Sequence, residues 1–571
     1  MFLNLVHKPM IAEPYEYQRK CAHELGLKVT QLVQSTLMEN EAVLELARKD
    51  FEDYGDELAV LLVPLKDMPE TQVWLLSEAD KRRVVQYSID GFKKAFGHAP
   101  KVVCSYLMDS QLIAIIKEYC PEVTACIAGC FEEGVKVFHG CNNSWYLFSE
   151  GMSWNPWYPS KTQSMRPAKD KDDWAGVVAL PHLSRDLVLS YEGRNDFYAS
   201  HPGNIQRALA NDGRIHEYDF NLTDQYRLQE DYNDGFSYYQ INVSPWWLHN
   251  SINVVDPDEV TRALYRETLE YMVQLRNEGN LVDMHISEFA DYYMKNVPIG
   301  STDVAVGKDI LYGSGKHYFW ICNSDYRVLI DTFQGGSIGD LRPYVGEYAS
   351  FTGPDSPSLT MNSYPYLIQS QYRTGTKNHC FDGSRTTVYV KHAGEALDMC
   401  FYPSKVADVK KGSDLTTLTL APVTLTFKDG LTVKLQTSYR FLKGGEIEVV
   451  RAILEKSDAN AELEIQEYAK ACYGFTEYPE NMKGIGLCID GKEVHSYDYS
   501  AKIFACDKAN EVSATVPAIH TEIALAGKSR KPESVSVEDG HLFTPFYVLK
   551  VNYTLSNDEK EVVTCLKLKK I

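Results

Sequence analysis

Hydrophobic positions in the first three hundred residues fall into short apolar runs that alternate with helical periodicities. Phe2 to Val6 reads as a strand ending at His7-Lys8-Pro9. A helix then begins at Glu13-Pro14, proline being tolerated in a first turn, and stops at Gly26. Leu27 to Val33 is the next strand, Glu39 to Tyr54 an amphipathic helix closed by Gly55, and Glu57 to Val63 a continuous apolar strand. Ser77, with Asp80 three positions on, opens a helix running to Phe96 before Gly97, the aspartate standing in for the acid of a capping box. Strands follow at Val102 to Met108, Val123 to Ala128, Gly176 to Leu180 and Tyr238 to Val243, with helices at Ser110 to Tyr119 and Asp258 to Glu278. Buried strands alternating with helices imply βα units and a largely parallel sheet. Some seven strands suit a closed or nearly closed barrel, in which catalytic residues sit on the loops after the C-terminal strand ends.

The pattern changes twice. Between Glu132 and Tyr238 the alternation breaks down into a stretch rich in Trp, Tyr, Pro and Asn, and long irregular segments within a domain are usually functional loops. After about residue 300 helical periodicity nearly vanishes. Short alternating runs recur at His317 to Cys322, Arg327 to Thr332, Leu431 to Leu442, Glu446 to Leu454 and Phe546 to Leu555, separated by turns such as Lys428-Asp429-Gly430. That is the signature of an all-β sandwich. The reading is therefore α/β plus all-β: a (β/α)7 barrel-like catalytic domain over 1–300 and a β-sandwich domain over 301–571.

Composition narrows the partners. With 571 residues there is room for two to four cores, and 44% hydrophobic with 24% charged residues is globular. A formal charge of −20 repels phosphate backbones and anionic lipid heads, so neither nucleic acid nor a membrane surface is expected as a partner, whereas a neutral sugar remains compatible. The 13 cysteines are scattered without a CxxC pair, and Cys126 and Cys130 lie in an apolar run, which suggests buried thiols in a reducing compartment. The apolar start lacks a charged n-region and a cleavage site, so it reads as a strand rather than a signal peptide, and a cytoplasmic location is expected. No run of about 18 apolar residues exists to span a bilayer.

Candidate chemistry gathers after the strands. Asp109 follows the strand that begins at Val102, where a barrel enzyme keeps a nucleophile or acid/base; alternatively it caps the helix behind it. Glu132 and Glu133 follow the next strand and can supply a second carboxylate, since glycoside hydrolysis needs two; alternatively they are solvated loop acids. His182, Arg185 and Asp186 follow the strand ending at Leu180 and can hold a sugar hydroxyl, a carboxylate or a metal; alternatively they form a buried loop network. His7, at the first strand end, is a similar case, as are Asp283 and His285. Trp154, Trp157, Trp246 and Trp247 fall in or just after the irregular stretch. Flat aromatic faces stack on pyranose rings, but the same rings can fill a barrel mouth as core. There is no Walker loop, GxGxxG after a strand or HExxH, and no spacing forms a closed zinc site.

Several segments carry a likeness: His7-Lys8-Pro9, Tyr15-Glu16-Tyr17-Gln18, the Tyr106 to Asp109 strand end, Phe131-Glu132-Glu133-Gly134, the Trp154 to Pro159 run, Pro181 to Asp186, Gly339 to Tyr344 and Glu477 to Met482. The chain resembles the glycoside hydrolase/deacetylase superfamily, whose members have a (β/α)7 barrel often followed by a galactose-mutarotase-like β-sandwich. More closely it resembles bacterial proteins described only as paired domains of unknown function. The deacetylases of the superfamily carry paired aspartates on the first strand and a His-xxx-His motif, and the class II α-mannosidases carry His-x-Asp; this chain has none of these. The resemblance implies a carbohydrate-active hydrolase. The first expectation is a glycoside hydrolase acting on an oligosaccharide or glycoside. In it Asp109 is nucleophile or base, Glu132 or Glu133 is the acid, His182, Arg185 and Asp186 position the substrate, and no cofactor is required. The second is a deacetylase-like hydrolase with a divalent metal on His7, His182 and an aspartate. The third is a sugar-binding protein without turnover.

Overall fold

The computed structural model describes residues 1–69, 72–105, 108–129, 154–192, 215–249, 258–346, 366–370, 384–472, 482, 484–541, 545–556 and 559–571. They divide into two compact units, one over Met1–Ser301 with Ile310–Tyr312, the other over Thr302–Asp309 and almost everything from Gly313 onward.

The first unit is built on β1 (Phe2–His7), β2 (Val29–Gln34), β3 (Glu57–Leu61), β4 (Val102–Cys104), β5 (Ala125–Gly129), β6 (Val178–Pro181), β7 (Tyr238–Ile241) and β8 (Val282–Asp283). Its helices are α1 (Glu13–Glu24), α2 (Glu41–Tyr54), α3 (Glu78–Phe96), α4 (Ser110–Tyr119), α5 (Leu187–Glu192), α6 (Ile215–Arg227), α7 (Asp258–Asn277) and α8 (Ile286–Asn296). The helix boundaries follow local chemistry. The Asn40 side chain accepts from the Val43 N–H and starts α2, and Ser77 does the same for α3 through Asp80. Gly55 and Gly97 end these helices in the left-handed conformation, at φ 75° and 76°.

The strands pair in the order β6-β5-β4-β3-β2-β1-β7, all parallel. The seam between β6 and β7 is closed differently. The Ser184 N–H donates to the Gln240 carbonyl at 3.0 Å, the Gln240 N–H to Ser184 Oγ at 2.9 Å, and Gln240 Nε2 to the His182 carbonyl at 2.8 Å. The result is a seven-stranded barrel joined at one seam by irregular hydrogen bonds instead of a ladder. β8 pairs with the start of β1 and leads into α8.

α8 closes the N-terminal end of the barrel. Its first N–H donates to Thr30 Oγ1 at 3.1 Å and the next to the Glu57 carboxylate at 3.3 Å, both at the starts of their strands. Phe289 meets Tyr238 and Phe2 with ring centroids 4.7 and 5.7 Å away. Ile286, Phe289, Ala290 and Tyr293 share one core with the inward residues Val6, Leu32, Leu61, Cys104, Ile127 and Leu180. That end is filled by apolar side chains, and barrels of this kind carry their catalytic residues at the opposite, C-terminal end. Cys126 is buried in β5, as its apolar run predicts, while Cys130 lies outside the described residues.

The second unit is antiparallel β, as the alternation predicts: sheets of five, six and ten strands. Thr432–Leu442 shows the half-buried alternation of such a sheet, every second residue being buried. The strands Glu511–Val516 and Thr521–Gly527 of the ten-stranded sheet lie against Ser534–His541 and Pro545–Leu555 of the six-stranded sheet, which makes this part a sandwich.

Candidate active site at the barrel mouth

A strand sends alternate side chains to opposite faces, so each barrel strand has an inward and a helix-facing set. On β1 the inward set is Phe2, Asn4 and Val6; on β7 it is Tyr238, Gln240 and, one step past the strand, Asn242. These inward residues make a buried polar row along the closing seam. Tyr238 donates its hydroxyl to Asn4 Oδ1 at 2.9 Å and also hydrogen-bonds Gln240 Oε1. Gln240 then donates to the His182 carbonyl. The row ends at Asn242, which is 1% exposed, and neither polar atom of its amide has a hydrogen-bond partner among the described residues. Leaving a buried amide unpaired costs about 1–3 kcal/mol, so a donor and an acceptor held ready at the C-terminal end of a barrel strand fit a ligand.

The aspartates after β4 and β6 share a different role. Asp109 Oδ1 accepts from the Leu112 N–H at 2.8 Å, capping α4, and Oδ2 pairs with Lys81 Nζ of α3 at 2.5 Å. Burial pushes its carboxyl up, and the Lys81 ammonium pulls against that. Asp186 Oδ1 accepts from the Leu189 N–H of α5 at 3.0 Å, and Oδ2 from the Tyr218 hydroxyl at 3.3 Å. Both acids therefore start helices with one oxygen and pair with a neighbouring element through the other. Arg185 is anchored through its backbone, which exchanges two 2.9 Å bonds with the Tyr226 hydroxyl. His182 and Arg185 are buried beside this seam. Glu132 and Glu133 lie outside the described residues.

His7 is not brought to the mouth. It faces the helix layer, with Nε2 2.9 Å from the Tyr265 hydroxyl of α7 and its ring edge-on to Tyr15 of α1. Burial, with His23 and Arg19 nearby, lowers its pKa to about 3, so it is neutral at physiological pH. The structural cause is parity: Leu3, Leu5 and His7 share the helix-facing side of β1. The joint metal site expected of His7 and His182 is thus not assembled. Asp283 and His285 are at the opposite end, where Asp283 accepts from the Lys28 N–H and His285 caps α8.

The tryptophans divide. Trp157 is core: it is buried, its backbone bridges Ala179 of β6, and its Nε1 donates to the Ser164 carbonyl at 2.8 Å. Trp154 and Trp247 are half-buried. Trp246, in the short turn Pro245–Leu248 just after β7, is 39% exposed and close in sequence to Asn242. Among the described residues no trio of potential metal ligands converges at the mouth; the one such trio in this unit, His23, Asp50 and Asp56, lies between β2, α1 and α2. Sequence reasoning missed Gln240, Asn242 and Lys81. The first two were accessible through the parity of Tyr238 to Val243, while Lys81 looks like any surface lysine of an amphipathic helix.

No family model matches this chain, and no curated protein matches it. Solved structures do resemble it. A Parabacteroides distasonis protein described as a glycoside hydrolase/deacetylase aligns over 64% of this chain and 89% of its own, at 13% identity and a TM-score of 0.45. A galactose mutarotase-like protein of Clostridium acetobutylicum aligns over 47% and 99%, at 10% identity and a TM-score of 0.33. The 4-α-glucanotransferase of Thermococcus litoralis aligns over 100% and 99%, at 9% identity and a TM-score of 0.29. Likenesses this distant assign no residue a role. Among the described residues no helix is long and apolar enough to cross a membrane.

Proposed function

We propose that this chain is a carbohydrate-active hydrolase working at the C-terminal mouth of its barrel, and specifically a glycoside hydrolase. The observation that carries the reading is the buried, neutral polar row Asn4, Tyr238, Gln240 and Asn242, which ends at an amide with no hydrogen-bond partner among the described residues. Neutral donors and acceptors match sugar hydroxyls, and the acidic surface of the chain does not repel an uncharged glycoside. Trp246 supplies an aromatic face at the rim, against which a pyranose ring can stack.

Because Asp109 and Asp186 both cap helices, Glu132 and Glu133 are the better candidates for the acid and for the group that attacks or activates water. A zinc-dependent deacetylase is disfavoured because His7 is turned into the helix layer and the sequence has no His-xxx-His pair.

The test is a panel of aryl glycosides and N-acetylated oligosaccharides assayed with and without chelator. Glycoside turnover that persists in chelator and falls by about 10²–10⁴-fold in Glu132→Gln or Glu133→Gln supports the reading. Chelator-sensitive deacetylation that survives in both variants contradicts it.

A further inference from the structure

The second unit holds a constellation outside the barrel's chemistry. His495 belongs to Lys492–Ser496, the edge strand of the ten-stranded sheet. Asp539 belongs to Ser534–His541 of the six-stranded sheet. Asp498 lies in the connection leading from the first sheet to strand Ile503–Cys506 of the second. Their ligand atoms converge: His495 Nε2 is 2.7 Å from Asp539 Oδ2 and 3.2 Å from Asp498 Oδ1. A single imidazole nitrogen faces two carboxylates, and a neutral ring has at most one proton to offer them.

Asp539 is the second observation. It is fully buried. Oδ2 accepts from the Asp498 N–H at 2.9 Å, from Ser500 Oγ at 3.4 Å and faces His495. Oδ1 is buried too, and no hydrogen bond reaches it among the described residues. A buried carboxylate oxygen without a donor calls for a cation. Lys502 does not serve, because its Nζ pairs with Asp498 Oδ2 at 3.2 Å, where both side chains are about half exposed.

The surroundings favour a built site. The His495 ring lies over Phe504 at a centroid distance of 5.0 Å and an interplanar angle of 27°, which fixes its orientation. The Asp539 N–H donates to the Lys502 carbonyl at 2.9 Å, and the Tyr497 hydroxyl to the Gly540 carbonyl at 2.9 Å. The backbone on either side of the cluster is thus already pinned. The other trio, His23, Asp50 and Asp56, is poorer, because Arg19 and Gln31 already donate to its carboxylates.

We propose that His495, Asp498 and Asp539 bind a divalent transition-metal ion, with Zn²⁺ the best match to one imidazole and two carboxylates, and that the ion ties the two sheets of the sandwich together. The exposed side of Asp498 leaves the remaining coordination position to water. The site belongs to the second unit and shares no residue with the barrel, so it survives or fails independently of the proposed hydrolase activity.

The experiment uses the full chain, stripped with chelator and titrated with Zn²⁺ alone by calorimetry, with thermal melting in parallel and Co²⁺ as a spectroscopic probe. One saturable equivalent and a rise in Tm are expected. Asp498→Ala removes a partly exposed ligand and keeps the backbone N–H that Asp539 uses. It is expected to leave the metal-free Tm unchanged and to weaken binding at least about tenfold. His495→Gln is expected to abolish the visible Co²⁺ absorbance. The proposal is overturned by an intact chain that binds no Zn²⁺, as a plain protonated His–Asp pair would, or by binding that persists unchanged in both variants.

Discussion

Two buried polar clusters lie on opposite faces of the barrel sheet, one against β2 and the other along β1 and β7, and they are built on different terms. On the helix-facing side, Gln31 of β2 donates to Asp50 Oδ2 at 2.9 Å and Asp56 Oδ2 at 2.6 Å. Arg19 Nε reaches both oxygens of Asp50 at 3.1 Å, and His23 Nε2 both oxygens of Asp56 at 3.1–3.2 Å. This cluster is charged, and every carboxylate oxygen has a donor. On the inward side the row from Asn4 to Asn242 is neutral and stops at an unpaired amide. The carboxylates of this ionic cluster already have their donors, and it serves to fix α1 and α2 on the sheet. An unsaturated neutral row tolerates its deficit because a ligand can complete it.

The largest expected effect lies on the saturated side. Asp50→Ala removes the buried acceptor of Gln31 and of the half-buried Arg19, which keeps only the exposed Glu16, and is expected to cost about 3–5 kcal/mol in denaturant unfolding, with ligand affinity per folded molecule unchanged. A comparable cost from Asn242→Ala would erase the contrast. Acid titration gives the next effect. His7 has a folded pKa of about 3, well below its unfolded value, so the unfolded chain binds the extra proton between these limits. Stability is present above about pH 6.5 and is lost as pH falls toward 3, by up to about 4 kcal/mol. His7→Gln, followed by unfolding across that range, is expected to flatten this slope; an unchanged slope would place its origin elsewhere. Gln240→Ala breaks the seam bond to the His182 carbonyl and is expected to cost about 1–3 kcal/mol and to weaken sugar binding, the only variant of the three that lowers both.

The sequence made the architecture legible where pattern and caps agree. Ser77 with Asp80, the stop at Gly55, and the apolar run of β5 lie where periodicity and capping chemistry place them, while α2 begins at Glu41 instead of Glu39, with Asn40 as its cap. The predicted strand Val102 to Met108 is shorter in the structure, ending at Cys104. Side-chain direction at strand ends was less legible. His7 looks like a mouth residue from its position alone, and one step of strand parity turns it towards Tyr265. Asp109 could be nucleophile or cap by spacing, and its partner Lys81, 28 residues earlier on another helix, is invisible to any local pattern. Trp157 carried the same ambiguity, which its bond to Ser164 and its burial resolve as core packing.

Asn242→Ala tests the central claim most directly, by unfolding of the unliganded chain and by affinity for the glycoside that emerges from the substrate panel. Since this amide pairs with nothing in the described structure, its removal is expected to leave stability within about 0.5 kcal/mol while lowering affinity or kcat/KM about tenfold or more. A variant that is clearly destabilised yet binds and turns over sugar normally would show that the amide belongs to the fold and that the substrate is held elsewhere.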